Sequence, residues 1–211
     1  PAIATVMPTQ GRPLVLIDAG ANTDCDALLL SQFAAMGSVY ANVILGCESP
    51  VVGLLSIGGE ETKGNEITKE AFKRLSGSPL NFRGNVEGHD LFRGETDVIV
   101  CDGFVGNVVL KASESVVHAV THWMKQEFKR NPVRMCGAML LRGALKTMKR
   151  RMNPELYGGA PLLGVNGVCI ITHGASSSIA IYHALRVAVE SVHHHLNELI
   201  VSKIATMGEN E

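Results

Sequence analysis

Residues 97–111, DVIVCDGFVGNVVLK, decide how the chain is read. Val98–Cys101 is a continuous apolar run, the composition of a short strand covered on both faces. A polar corner with two glycines follows, Asp102-Gly-Phe-Val-Gly-Asn107. An apolar pattern at helical spacing begins at once, with Val105, Val108, Val109, Ala112, Val116, Val120 and Trp123 on one face. This predicts a helix over 105–128. Strand, tight corner and helix in succession form the repeating unit of an α/β domain with parallel strands.

Similar units lie on either side. Leu14–Asp18 (LVLID) is a short apolar run, and it is where the first strand is expected. A long helix over Asp26–Leu45 follows. Val51–Ile57 (VVGLLSI) is the next strand. Asn65–Leu75 reads as a helix, because Ile67, Ala71, Phe72 and Leu75 share a face while Glu66 and Glu70 favour its N-terminal half. Leu80–Phe82 begins a weaker strand, a second helical stretch covers about 137–152, and Val168–Thr172 precedes a mostly helical Ser176–Thr206. The expected fold is α/β, three layers with a mainly parallel, helix-covered sheet. One domain over residues 1–211 is expected, with a basic helical arm at about 125–155.

Composition excludes several classes. Of the 211 residues 46% are apolar and 18% charged, an ordinary globular balance, and the net charge of −1 gives no reason to expect nucleic acid as a partner. No apolar run in the sequence approaches the ~20 residues of a membrane span, and no signal-peptide pattern is present. Cys25, Cys47, Cys101, Cys136 and Cys169 are scattered without a paired spacing. They read as reduced thiols of a cytosolic protein, not as a disulfide or zinc framework. The chain opens on proline and reads as a piece of something longer.

The polar residues concentrate at the strand-to-helix corners. Asp18-Ala-Gly-Ala-Asn22, Gly58–Asn65 (GGEETKGN), Asp102–Asn107 and His173-Gly-Ala-Ser-Ser177 combine glycine with Asp, Asn or Ser. In a parallel sheet these corners share the carboxyl edge, where open α/β sheets bind ligands. Glycine admits a ligand to the backbone, and amides at a helix start favour an anion. Asn and Ser are equally ordinary helix caps. Together the four corners point to an anion-handling cleft.

The segment Gly59–Gly64 has the length of a nucleotide-binding P-loop, but Lys63 precedes the last glycine and the order is broken. No dinucleotide fingerprint follows a strand. Lys63 stands at the head of a helix, where a cation opposes the helix dipole unless an anion joins it. It reads either as that anion's partner or as a solvated lysine. His118 and His122 are four residues apart, yet no third ligand or glutamate frame accompanies them, so no metal is expected. Cys101 reads as a buried thiol or as a nucleophile, and His173 as a base or a hydrogen-bonded structural histidine.

Nine of the 19 basic residues fall within 125–151, against one acid, Glu127. Ala138, Leu141, Leu145, Met148 and Met152 share a helical face. Arg142, Lys146, Lys149 and Arg150 share another. Such a helix suits an anionic membrane surface or an acidic partner, and equally a packed helix with a solvated basic face.

Long segments in order, IDAGANTD, QFAAMGSVYA, VGLLSIGGEETKGNEITKEAF, FRGNVEGHDLFRGETDVIVCDGFVGNVVLK and YGGAPLLGVNGVCIITHGAS, resemble the acyl-carrier-protein:phosphate acyltransferases of bacterial phospholipid synthesis, the PlsX family. The resemblance covers that family's C-terminal two-thirds. Its N-terminal Asp-Ala-Met-Gly-Gly-Asp and Gly-Asn-Thr-Gly motifs are absent here. It implies a fold of the isocitrate/isopropylmalate dehydrogenase and phosphotransacetylase group, incomplete at the N-terminus. It also implies a cytoplasmic homodimer that associates peripherally with the membrane. The implied reaction moves a fatty acyl group from acyl carrier protein to inorganic phosphate, without a cofactor. A membrane glycerol-3-phosphate acyltransferase then uses the acyl phosphate.

On that resemblance Lys63 and Asn107 are the catalytic candidates. Asp18, Asn22, Gly64, Asn65, Asp102, Gly103, Gly106 and His173 are candidates for the phosphate site. Arg142, Lys146, Lys149 and Arg150 would dock lipid or carrier protein. Backbone amides around Gly106 would assist Asn107. This polypeptide alone is expected to be inactive or poorly active. The alternatives are an acyl-CoA-dependent phosphate acetyltransferase, an oxidative decarboxylase of the same fold group (disfavoured, since no aspartate cluster for a divalent metal is found), or a truncated relative or membrane-surface scaffold without catalysis.

Overall fold

The computed structural model describes residues 1–152 and 154–208. Asn153, inside the basic arm, and residues 209–211 lie outside the described residues. The chain forms two compact units, Pro1–Asn107 with Pro154–Glu211, and Val108–Asn153.

The first unit is built on a seven-stranded sheet in the order β4-β3-β5-β2-β1-β6-β7. The strands are β1 (Ala2–Met7), β2 (Leu14–Ile17), β3 (Val52–Leu55), β4 (Phe82–Val86), β5 (Val98–Val100), β6 (Ala160–Leu163) and β7 (Ile170–Ile171). β4, β3, β5 and β2 are parallel neighbours. β1, β6 and β7 continue the sheet by antiparallel pairing. The sheet is therefore mixed, with its parallel half where the apolar runs of the sequence lie. Every residue of β2 and β5 is fully buried, as continuous apolar runs require.

Helix α1 (Ala27–Leu45) packs on β5 and β2, flanked by α2 (Glu66–Ser76) and α7 (Leu196–Gly208). Its N-terminus is capped by Asp26, whose carboxylate accepts the Leu29 N–H at 2.7 Å. A methyl at Gly37 would stand 2.6 Å from Val98 Cγ1 and 3.1 Å from Ile17 Cγ2, so the missing side chain lets the helix settle onto the sheet. Phe33, Ala34, Tyr40 and Ala41 complete that contact in the core. By length and apolarity alone α1 is long enough to cross a membrane, contrary to the sequence expectation, but it serves here as the core helix.

Two strands escaped the sequence reading. β1 lies upstream of Leu14 and pairs with β2 in the register Ala4 to Ile17. β6 (APLL) follows two glycines and contains a proline, a composition that does not read as a strand. The strand expected over Val168–Thr172 shrinks to Ile170–Ile171. The long C-terminal helix divides into α6 (Ser178–His193) and α7, because His195 takes a left-handed φ of 52° between them.

Asp18, directly after β2, organises the sheet edge. It has no solvent exposure, and its carboxylate accepts from the amides of Ile3 (2.9 Å), Gly20 (3.1 Å), Ala21 (3.0 and 3.1 Å) and Asn22 (2.7 Å). The Asn22 side-chain amide adds a bond at 2.8 Å. These charge-assisted bonds hold the turn closed and tie it to β1.

Helix α3 (Gly103–Lys129) begins against that turn. A methyl at Gly103 would stand 2.6 Å from the Asn22 carbonyl oxygen and 2.9 Å from Asp18 Oδ2. One at Gly106 would overlap the Asp18 carbonyl oxygen outright and lie 3.0 Å from Cys101 Sγ. Both obstacles are backbone or buried, so neither can yield. α3 continues into the second unit, which also holds α4 (Pro132–Leu140, capped by Asn131) and α5 (Arg142–Arg151). Gly106→Ala and Asp18→Asn are each expected to lower the unfolding free energy by about 3 kcal/mol. Urea denaturation followed by circular dichroism measures this; a midpoint unchanged by both would refute the structural role given to the corner.

Candidate functional site

The loops leaving β3, β5 and β2 emerge side by side, because these strands are parallel and adjacent. Three of the four corners expected at the carboxyl edge are therefore brought together: 18–22, 58–65 and 102–107. The fourth is not. β7 runs antiparallel to β6, β6 to β1 and β1 to β2, so the chain leaves β7 toward His173 at the opposite edge. There the His173 ring accepts the Ala175 N–H at 3.1 Å, and its carbonyl accepts the Ser176 N–H at 2.9 Å. His173 shapes the turn into α6.

At the start of α3 the expectation of free amides is corrected at Gly103, Val105 and Gly106. Gly103 N–H donates to the Asn22 carbonyl at 2.6 Å, Val105 N–H to Asp102 Oδ1 at 2.8 Å, and Gly106 N–H to the Asp102 carbonyl at 2.9 Å. Asp102 is the helix cap, and its charge faces the positive end of the helix dipole. The two glycines are needed for close packing on the Asp18 turn, not for ligand access. The exposed polar side chain of the corner is Asn107, in the second turn of the helix, with its side chain over Gly20. Gly20 has φ +140°, and a methyl there would stand 3.6 Å from Asn107 Cβ.

Asp18 and Asn22 build this corner from below. Asn22 Nδ2 donates both to Asp18 and to the Pro1 carbonyl, at 2.6 Å to the latter. The Asp18 carboxylate and the Asn22 side-chain amide N–H groups are thus spent on the turn itself.

Lys63 lies in the neighbouring loop and is exposed. Its N–H donates to the Glu60 carbonyl at 3.0 Å. Its stem crosses Gly58, where a methyl would stand 2.7 Å from Lys63 Cγ. Asn65 caps α2 by accepting the Thr68 N–H at 2.8 Å, and a methyl on Gly64 would collide with Thr68 Oγ1. The loop also carries Glu60 and Glu61, so Lys63 is its single cation. One contributor escaped sequence reading: Asn85, inside β4, donates from Nδ2 to the Glu60 carbonyl at 2.8 Å. The available signal was an asparagine within a strand, a position that residue disfavours.

Cys101 is a buried thiol. Desolvation first, then the charges of Asp102 and Asp18, push its pKa far above the ordinary thiol range. The thiolate a nucleophile needs is therefore suppressed. In the second unit, His118 and His122 are exposed on α3, and no three metal-ligating side chains gather among the described residues. Glu127 pairs with Arg130 at 3.3 Å and with Arg134. Arg142, Lys146, Lys149 and Arg150 are exposed along α5 and form no ion pair among the described residues.

The geometry can be set beside known proteins. Residues 1–199 match the family model described as fatty acid synthesis protein. The chain is 49% identical over 210 residues to the phosphate acyltransferase of Acidobacterium capsulatum, covering 100% of this chain and 62% of that protein. It is 51% identical over 207 residues to the phosphate acyltransferase of Pelotomaculum thermopropionicum, covering 98% and 60% respectively. The chain thus spans about three-fifths of the length of these relatives. A branched-chain phosphotransacylase from Enterococcus faecalis V583 shares the fold, with a TM-score of 0.55 at 17% identity over 92% of this chain and 66% of that one. The fold is thus the α/β arrangement of a phosphotransacylase, and the chain belongs to the fatty acid synthesis protein family.

Proposed function

We propose that this chain carries the reaction edge of a phosphate acyltransferase that moves a fatty acyl group from an acyl-carrier-protein thioester to inorganic phosphate. The observation that carries the reading is the placement of Lys63 and Asn107. Both are exposed, Lys63 on the loop that follows β3 and Asn107 in the second turn of the helix that follows β5, and each segment is tied down by side-chain-to-backbone hydrogen bonds.

Phosphate is itself the nucleophile, so the suppressed thiol of Cys101 is no obstacle. A phosphate oxygen attacks the thioester carbon and a tetrahedral oxyanion forms. It collapses as the C–S bond breaks, and the departing sulfur takes the proton that hydrogen phosphate loses. Lys63 offsets the phosphate charge as it approaches the carbonyl. Asn107 donates its side-chain amide to the oxyanion. With the Gly103, Val105 and Gly106 amides already paired, that side chain is an outward donor of the corner. Asp18, Asn22, Asp102, Gly103 and Gly106 hold it in place. Gly64 and Asn65 do the same for the Lys63 loop. His173 stands apart at the other edge.

The reading extends to a cytoplasmic homodimer in peripheral contact with the membrane, feeding phospholipid synthesis. The unpaired cations on α5 support an anionic docking partner, either lipid or the acidic carrier protein. On α6 one stripe, Ala180, Ala184, Val187 and Ser191, is buried. The opposite stripe, Tyr182, Leu185, Val189 and Val192, is exposed and suits a subunit contact. Exposed Val116, Val120 and Trp123 on α3 suit an acyl chain.

In a full-length acyltransferase carrying this sequence, Lys63→Ala and Asn107→Ala are each expected to reduce acyl phosphate formation about 100-fold while leaving the melting temperature unchanged. Near-normal rates from both would sink the assignment. Comparing acyl-carrier-protein with acyl-CoA as donor tests the substrate. Assaying the 211-residue chain beside the full-length protein tests whether this edge suffices. Reversing Arg142, Lys146, Lys149 and Arg150 to Glu separates the docking roles. Lost flotation with anionic liposomes assigns the face to lipid. Unchanged flotation with a raised KM for acyl carrier protein assigns it to the carrier.

A further inference from the structure

Lys63 sits on an exposed, glycine-rich loop, the kind of segment in which a long side chain samples many directions. Three contacts limit that freedom. Its N–H is bonded to the Glu60 carbonyl at 3.0 Å. The same carbonyl receives the Asn85 side-chain amide at 2.8 Å. The Lys63 stem rests over Gly58, which is buried.

Asn85 is well placed for the task. It stands on β4 opposite Leu54 of β3, and Ser56, two residues beyond Leu54, falls on the same sheet face. Asn85 therefore reaches the loop from a hydrogen-bonded strand. Its Oδ1 is buried without a partner, as is Ser56 Oγ. Asn85 thus keeps a buried, unsatisfied oxygen while its amide holds a loop carbonyl, an arrangement that costs stability. A role in the loop's geometry accounts for it.

We infer that Asn85 is a positioning residue for the reaction: through the Glu60 carbonyl it sets the conformation of the 58–63 loop and so the direction of Lys63. This rests on the catalytic reading of Lys63 given above. Asn85 touches no substrate. Gly58 is the second element of the device, because any side chain there displaces the lysine stem.

The test is a double-mutant cycle in a full-length acyltransferase carrying this sequence, with thermal melting as the check on folding. Asn85→Ala is expected to lower kcat about tenfold or more, with the KM for the acyl donor unchanged. Combined with Lys63→Ala, it should cause no further loss, because the residue it positions is gone. Gly58→Ala, which leaves Asn85 intact, should show the same non-additivity and keeps the test decisive if Asn85→Ala folds poorly. An Asn85→Ala enzyme at the wild-type rate, or a loss that multiplies onto that of Lys63→Ala, overturns the inference and leaves the Lys63 assignment standing. A Lys63→Ala enzyme at the wild-type rate overturns both.

Discussion

The buried carboxylate of Asp18 is the interaction on which the rest depends. Five donor groups converge on it, four from the backbone and one from Asn22. Such a charge is tolerated away from water only because its oxygens are saturated with donors. Satisfying it forces the 18–22 turn into one shape and ties β1 to β2. That shape presents a bare backbone surface to the next element, and only an α3 with glycine at 103 and 106 can lie against it. Asn107 follows one residue later, on a helix whose start cannot shift. A structural carboxylate, itself unsuited to an anionic substrate, thereby fixes the direction of an amide that is suited to one.

The neighbouring loop follows the same logic with weaker means. Where the Asp18 turn uses a charge, the 58–65 loop uses one carbonyl shared between Asn85 and the Lys63 amide. The difference suits the two roles proposed. The oxyanion donor is held through a buried charge, whereas the direction of the lysine is set by one shared carbonyl and the glycine beneath its stem. Glu60 and Glu61 on the same loop keep the edge from being a general anion trap, so attraction is confined to the reach of Lys63.

The sequence made the parallel half of the fold legible because its strands are continuous apolar runs: LVLI, VGLL and VIV each appear as strands close to their expected limits. AIATVM and APLL were missed. The first precedes the run that looked like a beginning, and the second is interrupted by proline and flanked by glycine. Both join the antiparallel half, where one strand reversal after another sends His173 to the far edge. Local pattern carries no information about strand direction, so His173 looked equivalent to the other corners. The glycines of Asp102–Asn107 serve close packing, which sequence alone does not separate from ligand access, since both call for the same residue. An asparagine within a strand is a faint signal, and what Asn85 does cannot be read locally because its partner is a carbonyl 25 residues away.

The central claim is that the edge formed by the β3 and β5 loops, and not the buried Asp18 turn or the His173 corner, receives phosphate. Titrating inorganic phosphate into the ¹⁵N-labelled protein and following backbone and side-chain amide resonances tests it most directly. The account predicts saturable shifts centred on Lys63, Gly64 and the Asn107 side-chain amide, with the amides of residues 173–177 nearly unmoved. Shifts centred on residues 173–177, or none at the Lys63 loop, would contradict it.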